Sequence, residues 1–572
     1  MKREVLTGVP VSPGLARGRA RLIGLPRLPG APETIAETEV ETELLRLEEA
    51  LATARGELAD LRRRLSGALA HELGDFFDAH ALLLEDPELV QGLFDLVRKA
   101  RMSARAALKV QRDRLAEIFA GIEDPYLRSR FEDVEHVIAR VLAWLHRAEL
   151  GEEASPRAGE GEVVVAETLP PAELAHFAEQ GVRAVITEQG SPLSHAAILA
   201  RSLRLPMVVQ ARGALAAIGE GDLLLVDAAA GQIVVNPEAA DLSAFERALR
   251  RNQREERRLL RLRDAPCRTR DGIAIELLAN AESLAEVEAA LAHGAAGIGL
   301  YRTEFLFLRE DRLPDEEEQF EAYRAVLRAA CGRPVTFRTL DLGADKAEGS
   351  VLALPSEENP ALGLRGLRRS LSEPEQFAAQ LRAVIRAAEL GPARVLLPMV
   401  TTAGEFAAAR RLHQQLLAKL SVPAEKPVPL GAMIEVPAAA IAPEAILALA
   451  DFAAIGSNDL MQYLLAADRG HDRLAGLFEP TEPAVVRTLA RLIAACARRR
   501  RPVTLCGELA ADTRFTALLI ALGLRALSAH PRALPAIKER IRELDTRKLQ
   551  KLRPRLLRAA HRESVEKLLA AL

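Results

Sequence analysis

Eight short apolar runs, rich in β-branched residues and separated by helical text, dominate roughly the last 300 residues of the chain and most narrow its possible folds. They are Ile273 to Ala279, Gly297 to Leu300, Val335 to Arg338, Val395 to Met399, Gly431 to Glu435, Phe452 to Ile455, Val503 to Cys506 and Ala526 to Ser528. Strand and helix alternating in this way predict a parallel sheet, and eight repeats predict a (β/α)8 barrel. A barrel of this kind carries its chemistry at the carboxyl ends of its strands.

Those ends are chemically loaded. The second run is followed by Tyr301-Arg302-Thr303-Glu304, the third by Arg338-Thr339-Leu340-Asp341 with Lys346 beyond, and the fifth by Glu435-Val436-Pro437. The sixth delivers Gly456-Ser457-Asn458-Asp459, with Asp468-Arg469-Gly470 further on, and the seventh ends in Cys506-Gly507-Glu508. Guanidinium forks match phosphate and carboxylate bidentately, and Mg²⁺ takes one or two protein carboxylates plus phosphate oxygens. Arg302 taken singly reads as half of an exposed ion pair worth about 0 to 1 kcal/mol. Five loaded strand ends together read as an anion site with a bridging cation.

The first half of the chain is written differently. From Thr34 to about Glu149 Leu44, Leu45, Leu47, Leu51, Leu58 and Leu61 recur at helical spacing among Glu and Arg, which predicts a helical bundle. Val163 to Ala166, Ala184 to Thr187, Pro206 to Gln210 and Leu223 to Asp227 are strand-like, so the bundle interrupts a small α/β unit after an opening strand near Val5 to Val11. Glu238 to about Asp264, if one helix, is a rod of roughly 40 Å. The expected division is therefore 1–33, 34–149, 150–237, 238–264 and 265–572 in an α/β multidomain chain.

Within the small α/β unit, Gly190-Ser191-Pro192-Leu193-Ser194-His195 leads into the helical text Ala196-Ala197-Ile198-Leu199-Ala200-Arg201. This puts His195 at a helix N-terminus, where free N–H groups favour an incoming dianion. A histidine of ordinary pKa is about three-quarters neutral at pH 7 and can act as a nucleophile. Most of the 11 histidines, His146 and His413 among them, read as packing residues. The chain contains no Gly-Lys dipeptide and hence no G-x-x-x-x-G-K-[ST] loop, which disfavours a P-loop kinase.

Composition closes off other classes. A length of 572 residues suggests three or four domains, a net charge of −3 demands neither nucleic acid nor an anionic membrane, and 4% aromatic residues are too few for a base-stacking surface. Cys267, Cys331, Cys496 and Cys506 form no metal-knuckle spacing and suit a reducing compartment, with all but Cys506 read as buried packing residues. Met1 to Pro13 lacks a secretory apolar run, so a cytoplasmic chain without membrane insertion is expected. The Arg498 to Arg501 run precedes Pro502 at a predicted helix end, where cations complement the macrodipole.

The stretches GLYRTEFLF, RTLDLGADK, ENPALGLRG, IEVPAAA, IGSNDLMQYLLAADRG and LCGELAAD, with Gly8 to Gly14 near the start, resemble the Enzyme I family of the bacterial phosphotransferase system, the phosphoenolpyruvate-protein phosphotransferases. The resemblance runs over essentially the whole chain. It implies phosphoryl transfer from phosphoenolpyruvate (PEP) to the protein's own histidine and then to the carrier HPr, as the first step of PEP-dependent sugar uptake, with Mg²⁺ required. By position it implies that His195 is phosphorylated, that Arg302, Arg338, Asn458, Asp459 and Arg469 contact PEP with Lys346 and Arg365 as further phosphate contacts, that Glu435 and Asp459 bind Mg²⁺, and that Cys506 donates a proton. It further implies that 1–33 and 150–237 form a phosphohistidine domain, that the bundle 34–149 docks HPr, chiefly through the Asp75 to Glu85 helix with Phe76, Phe77 and Leu82 to Leu84, and that the barrel forms a homodimer.

Departures from the family pattern are Ser191-Pro192-Leu193 in place of its G-[RK]-[ST], Ala344 and Ala511 where Gly is common, and Ser457 where Thr is common. The SPLSH loop looks more like that of PEP synthase-type histidine domains, but those proteins carry an ATP-binding domain of several hundred residues ahead of it, where this chain has the helical segment. A PEP-sensing regulatory phosphoprotein without a role in sugar uptake is the remaining alternative, since the same chemistry serves it.

Overall fold

The computed structural model describes residues 3–23, 34–64, 77, 80–120, 131–150, 159–192, 194–203, 205–307, 312–342, 357, 359–423, 428–468 and 472–570. The chain divides into two compact units, residues 1–253 and 254–572.

In the first unit the strands β1 (Glu4–Thr7), β2 (Val9–Ser12), β3 (Leu15–Ile23), β4 (Val163–Ala166), β5 (Ala184–Thr187), β6 (Met207–Val209), β7 (Leu223–Asp227) and β8 (Gln232–Val235) form one sheet in the order β1-β8-β7-β3-β4-β5-β6-β2. The single opening strand expected from the sequence is thus three strands. β3, parallel to β4 and antiparallel to β7, carries no β-branched residue before its last position. Its strand signal is alternation alone: Ala16, Gly18 and Ala20 are buried while Arg17 and Arg19 are exposed. Gly18 is required there, because a Cβ would collide with the carbonyl oxygen of Gly161.

Between β3 and β4 run the helices Val40–Arg64, Pro87–Ala100, Ala104–Ala120 and Phe131–Leu150. Pro87–Ala100 shows why these residues form a helix: Asp86 accepts hydrogen bonds from the N–H groups of Glu88 and Leu89 at 2.8 and 3.1 Å, Pro87 opens the first turn, and Arg101 at φ 54° ends it. Leu47, Leu51, Leu58, Leu93, Val97 and Val137 share a core with Leu174, Phe177 and Leu199 of the α/β layer. The docking role expected for Phe77 and Leu84 is corrected, since both are buried in this core and only Leu82, 68% exposed, faces outward. Asp75 and Phe76 lie outside the described residues.

The expected rod is the 22-residue helix Ala239–Leu260, about 33 Å long, followed by turns at Leu262 and Arg263. It stops short of the expected end, where the N–H groups of Leu262 and Arg263 turn to the carbonyls of Leu259 and Leu260, and Pro266 keeps the helix from resuming.

In the second unit β9 (Glu276–Ala281), β10 (Ile298–Arg302), β11 (Val335–Arg338), β12 (Ala393–Leu397), β13 (Leu430–Ile434), β14 (Phe452–Gly456), β15 (Val503–Cys506) and β16 (Ala526–Ala529) close a parallel barrel, with β16 pairing back to β9. The predicted (β/α)8 fold is present, with strand ends displaced by up to three residues from those read in the sequence. Leu300, Leu396, Met433, Phe452, Ala454 and Cys506 fill the interior. Alternate residues such as Tyr301, Phe337 and Val395 pack outward under the helices. The ring of Tyr301 meets those of Phe337 and, through it, Tyr323, so it points away from the barrel interior.

Cys331 departs from its expected burial: it is exposed at a turn with φ 51°, whereas Cys496 is buried and Cys267 half-buried. In the arginine run, Arg498 pairs with Glu444 and the Nε of Arg501 donates to the carbonyl of Leu447, consistent with a structural role. Among the described residues no helix is long and apolar enough to cross a membrane.

Candidate active site

Apart from Arg365, each expected mouth residue that is described stands at, or just beyond, the carboxyl end of a barrel strand. Arg302 ends β10, Arg338 ends β11, Glu435 follows β13, Asn458 and Asp459 lie in the first turn of the helix Ser457–Leu465 after β14, and Cys506 ends β15. Arg365 stands immediately before the short helix Gly366–Ser372. Lys346 and Arg469 lie outside the described residues.

The arginines are already engaged. Arg338 donates to Glu304 at 2.8 Å and pairs with Asp341 at 3.2 Å, while Arg365 grips Asp341 with a two-pronged contact at 2.9 and 3.1 Å and reaches Asp459 at 3.4 Å. Burial works against both guanidinium charges, yet Glu304 and Asp341 hold Arg338, and Asp341 holds Arg365, above the ordinary arginine range. Arg302 pairs with Glu282 and keeps 40% of its side chain exposed. Arg365, read from the resemblance as a phosphate contact, directs its Nε and Nη2 donors to carboxylates and its Nη1 to the hydroxyl of Tyr463.

Asp341, Glu435 and Asp459 come together so that one carboxylate oxygen of each lies within 4.8 Å of the others. Burial first, and then the negative charges of Asp459 and Asp341, push the Glu435 carboxyl up to about 8. One of its oxygens accepts from the N–H of Met399 at 2.7 Å. Gly456 makes room for it, since a Cβ at that position would overlap the Glu435 carboxylate. Among the described mouth residues Arg302, Arg338 and Arg365 pair with Glu282, Glu304, Asp341 and Asp459, and Glu435 and Glu508 stand at neighbouring strand ends. The donor set fits a divalent cation on two counts: it offers hard oxygens at close range, and a double positive charge would favour the ionised form of the Glu435 carboxyl that burial and its acidic neighbours disfavour.

The Cys506 thiol is buried beside this cluster, and burial pushes it up to about 12 against the opposing influence of Ser528, Arg302 and Arg338. Asn458 is fixed by Glu508, donating to its carboxylate at 3.3 Å and accepting from its N–H at 3.2 Å. Gly507, at φ 113°, brings the chain close to Ser457 and Asn458, where a side chain would clash.

In the first unit the helix His195–Leu203 begins at His195 itself. Ser194 caps it, accepting from the N–H of Ala197 at 3.3 Å. The preceding loop is held by Gln210, which donates to the carbonyl of Gly190 at 3.0 Å, and Gly190 takes the left-handed φ of 113°. Arg201 reaches back to the carbonyl of Pro192 at 3.0 Å, placing a cation at the loop whose sequence lacks the family's basic residue. The side chains of Leu193 and His195 are outside the description.

Three participants were missed or left without a role in the sequence. Asp341 was visible three residues after Arg338 but unassigned as a cation ligand. Glu282 stands just after β9, and Gln380 accepts from the N–H of Leu340 while donating to Thr303 and Tyr323. Thr303 in turn donates to the carbonyl of Arg338 at 2.8 Å, so Gln380 ties the ends of β10 and β11 together.

Three family models match the chain: the PEP-utilising enzyme PEP-binding domain over residues 256–546, its N-terminal domain over 7–130, and its mobile domain over 158–231. Phosphoenolpyruvate-protein phosphotransferase from Cupriavidus necator is 40% identical over 568 residues, covering 97% of both chains. The protein of that name from Geobacillus stearothermophilus is 35% identical over 570 residues, covering 99% of this chain and 97% of its own. An NMR solution structure of Enzyme I (nEIt) protein covers 43% of this chain and 99% of its own at 28% identity, with a TM-score of 0.35. Near full-length identity at these levels, over a barrel whose strand ends gather arginines and carboxylates, makes the chain an enzyme that belongs to the phosphoenolpyruvate-protein phosphotransferases of the PEP-utilising family.

Proposed function

We propose that the barrel mouth binds PEP with Mg²⁺, that His195 takes the phosphoryl group, and that the phosphorylated protein passes it to HPr, a small carrier protein, in the cytoplasm. The observation that carries this reading is the closed cluster of Asp341, Glu435 and Asp459 beside Arg338 and Arg365 at the strand ends. When bound, the metal supplies charge neutralisation for the phosphate oxygens.

The chain's own residues do the rest. Arg302 and Arg338, with Arg469 and Lys346, bind the phosphate and carboxylate of PEP, and Asn458 orients the substrate. Arg365 holds Asp341 and Asp459 in place for the cation, so its contact to phosphate is secondary to positioning. The neutral imidazole of His195 attacks phosphorus in line, the bond from phosphorus to the enol oxygen breaks, and a nitrogen–phosphorus bond forms. The enolate left behind takes a proton at carbon from the Cys506 thiol, giving pyruvate, and the thiolate is reprotonated from water. The barrel serves as the homodimerisation unit.

The test is pyruvate release and label transfer from radiolabelled PEP to HPr, with and without Mg²⁺, in the wild-type protein and in Glu435→Gln and Asp459→Asn. The reading predicts that each variant loses most of its rate, on the order of 10²-fold or more, and responds weakly to added Mg²⁺. Wild-type turnover and metal response in both variants would refute it.

A further inference from the structure

The helices Thr546–Arg558 and Arg562–Ala570 border an open cleft of about 730 Å³ whose lining shares no residue with the barrel mouth. Lys548, Lys551, Arg555 and Arg558 follow one another at spacings of three and four along one face of the first helix, a stripe about 15 Å long. Lys567 and the Ser564 hydroxyl face them from the second helix. All five cations are exposed, and among the described residues no carboxylate lines the cleft and none of the five has an ion-pair partner. Of the nearby acids, Asp545 pairs with Arg547 and Glu566 with Arg562, while Glu563, exposed one turn before Lys567, is not part of the cleft lining.

Helix capping explains part of this stripe and not the rest. Arg555 and Arg558 lie in the last turn, where positive charge complements the dipole. Lys548 lies in the first turn, where positive charge opposes the dipole, and Lys551 lies mid-helix beyond the reach of either end, so neither helps the helix. The cleft volume lies within the range of about 300 to 1,000 Å³ that holds small molecules. Leu552 and Leu568 give it apolar walls, and no aromatic ring lines it for stacking along a nucleic-acid strand.

We propose that this cleft binds an extended polyphosphate anion, either borne by a nucleoside or free. A single phosphate is too short to engage a stripe of this length, whereas a chain of linked phosphates presents one charge after another along it. The apolar walls leave space for a base or sugar at one end.

The test uses the full-length protein at low salt, with binding of ATP, inorganic tripolyphosphate, orthophosphate, adenosine and a Glu-rich decapeptide measured by calorimetry. Saturable binding of ATP and tripolyphosphate at one site per chain is expected, with orthophosphate weaker by about tenfold or more and adenosine not bound. The double reversal K551E/R555E, both exposed, should weaken polyphosphate binding about tenfold or more while leaving pyruvate formation from PEP and the thermal midpoint unchanged. ATP tighter than tripolyphosphate assigns a nucleoside-borne ligand, and equal affinity assigns the free chain. The proposal is overturned if no saturation occurs below about 10 mM, if the reversal leaves affinity unchanged, or if orthophosphate or the peptide binds as tightly as tripolyphosphate.

Discussion

Cys506 ends a strand inside the barrel, and burial pushes its thiol up to about 12, so it carries its proton throughout the neutral range. On the proposed reading a donor is therefore loaded whenever an enolate forms beside it. Cys506→Ala should bind PEP as the wild type does and form pyruvate on the order of 10²-fold more slowly, because a positioned acid contributes about that much. Deuterium delivered from solvent should also lose its preference for one face of the methyl carbon. Unchanged pyruvate release would move the donor role elsewhere, and Tyr301 is a poor successor, since its ring packs outside the barrel against Phe337. At this scale the sequence was most legible where a polar group directly follows an apolar run, as at Arg302, Arg338, Glu435 and Cys506. Glu282 was hidden because β9 runs two residues beyond the expected end, to Ala281. The closeness of Asp341 to Glu435 and Asp459 was hidden because the three are distant in sequence and meet only when the barrel closes.

The helix Ala403–Lys419 carries a titratable group in its buried face. Thr402 and Glu405 form its capping box, and Phe406, Ala409, His413 and Leu416 face the core. Burial holds His413 down at about 4, with Asp451 and Arg410 pulling in opposite directions, and its Nε2 is buried without a hydrogen-bond partner. The unfolded chain takes up this proton near pH 6.5, whereas the folded protein resists it until about 4. Stability from this residue is therefore fully present above about pH 6.5 and is lost as pH falls toward 4, by at most about 3 kcal/mol. His413→Gln should flatten that part of the dependence, as read by urea denaturation of the barrel unit at pH 7 and pH 5. An equal loss in wild type and variant would assign the slope to other groups. Elements built on apolar runs were visible in the sequence, but β3 was not, because small residues between arginines carry alternation without strand propensity. The HPr-docking role expected of Phe77 and Leu84 gave way for the opposite reason: large apolar residues were read as a surface and form the core.

At the scale of the whole molecule, the proposed phosphate donor site and the His195 helix belong to different compact units. In-line transfer brings reacting atoms to about 3 to 3.5 Å, first with PEP at the barrel mouth and then with a carrier docked elsewhere. A single fixed arrangement cannot present one histidine to both, so under the proposed function the His195-bearing layer swings between two stations. Distances between spin labels on the His195-bearing α/β layer and on the barrel should redistribute when PEP and Mg²⁺ are added, by far more than a loop adjustment. An unchanged distribution during turnover would remove the swing. Barrel closure was legible because eight strand–helix repeats admit few topologies, whereas nothing in composition or spacing encodes how separate units approach.

The central claim is that His195 receives the phosphoryl group of PEP, and mapping the phosphorylated residue tests it most directly. Wild-type protein incubated with labelled PEP and Mg²⁺, then digested under alkaline conditions, should carry an acid-labile phosphate on the peptide containing His195 and on no other, and His195→Ala should carry none. Label persisting undiminished on the His195→Ala protein, or a wild-type protein phosphorylated at another residue, would contradict the account.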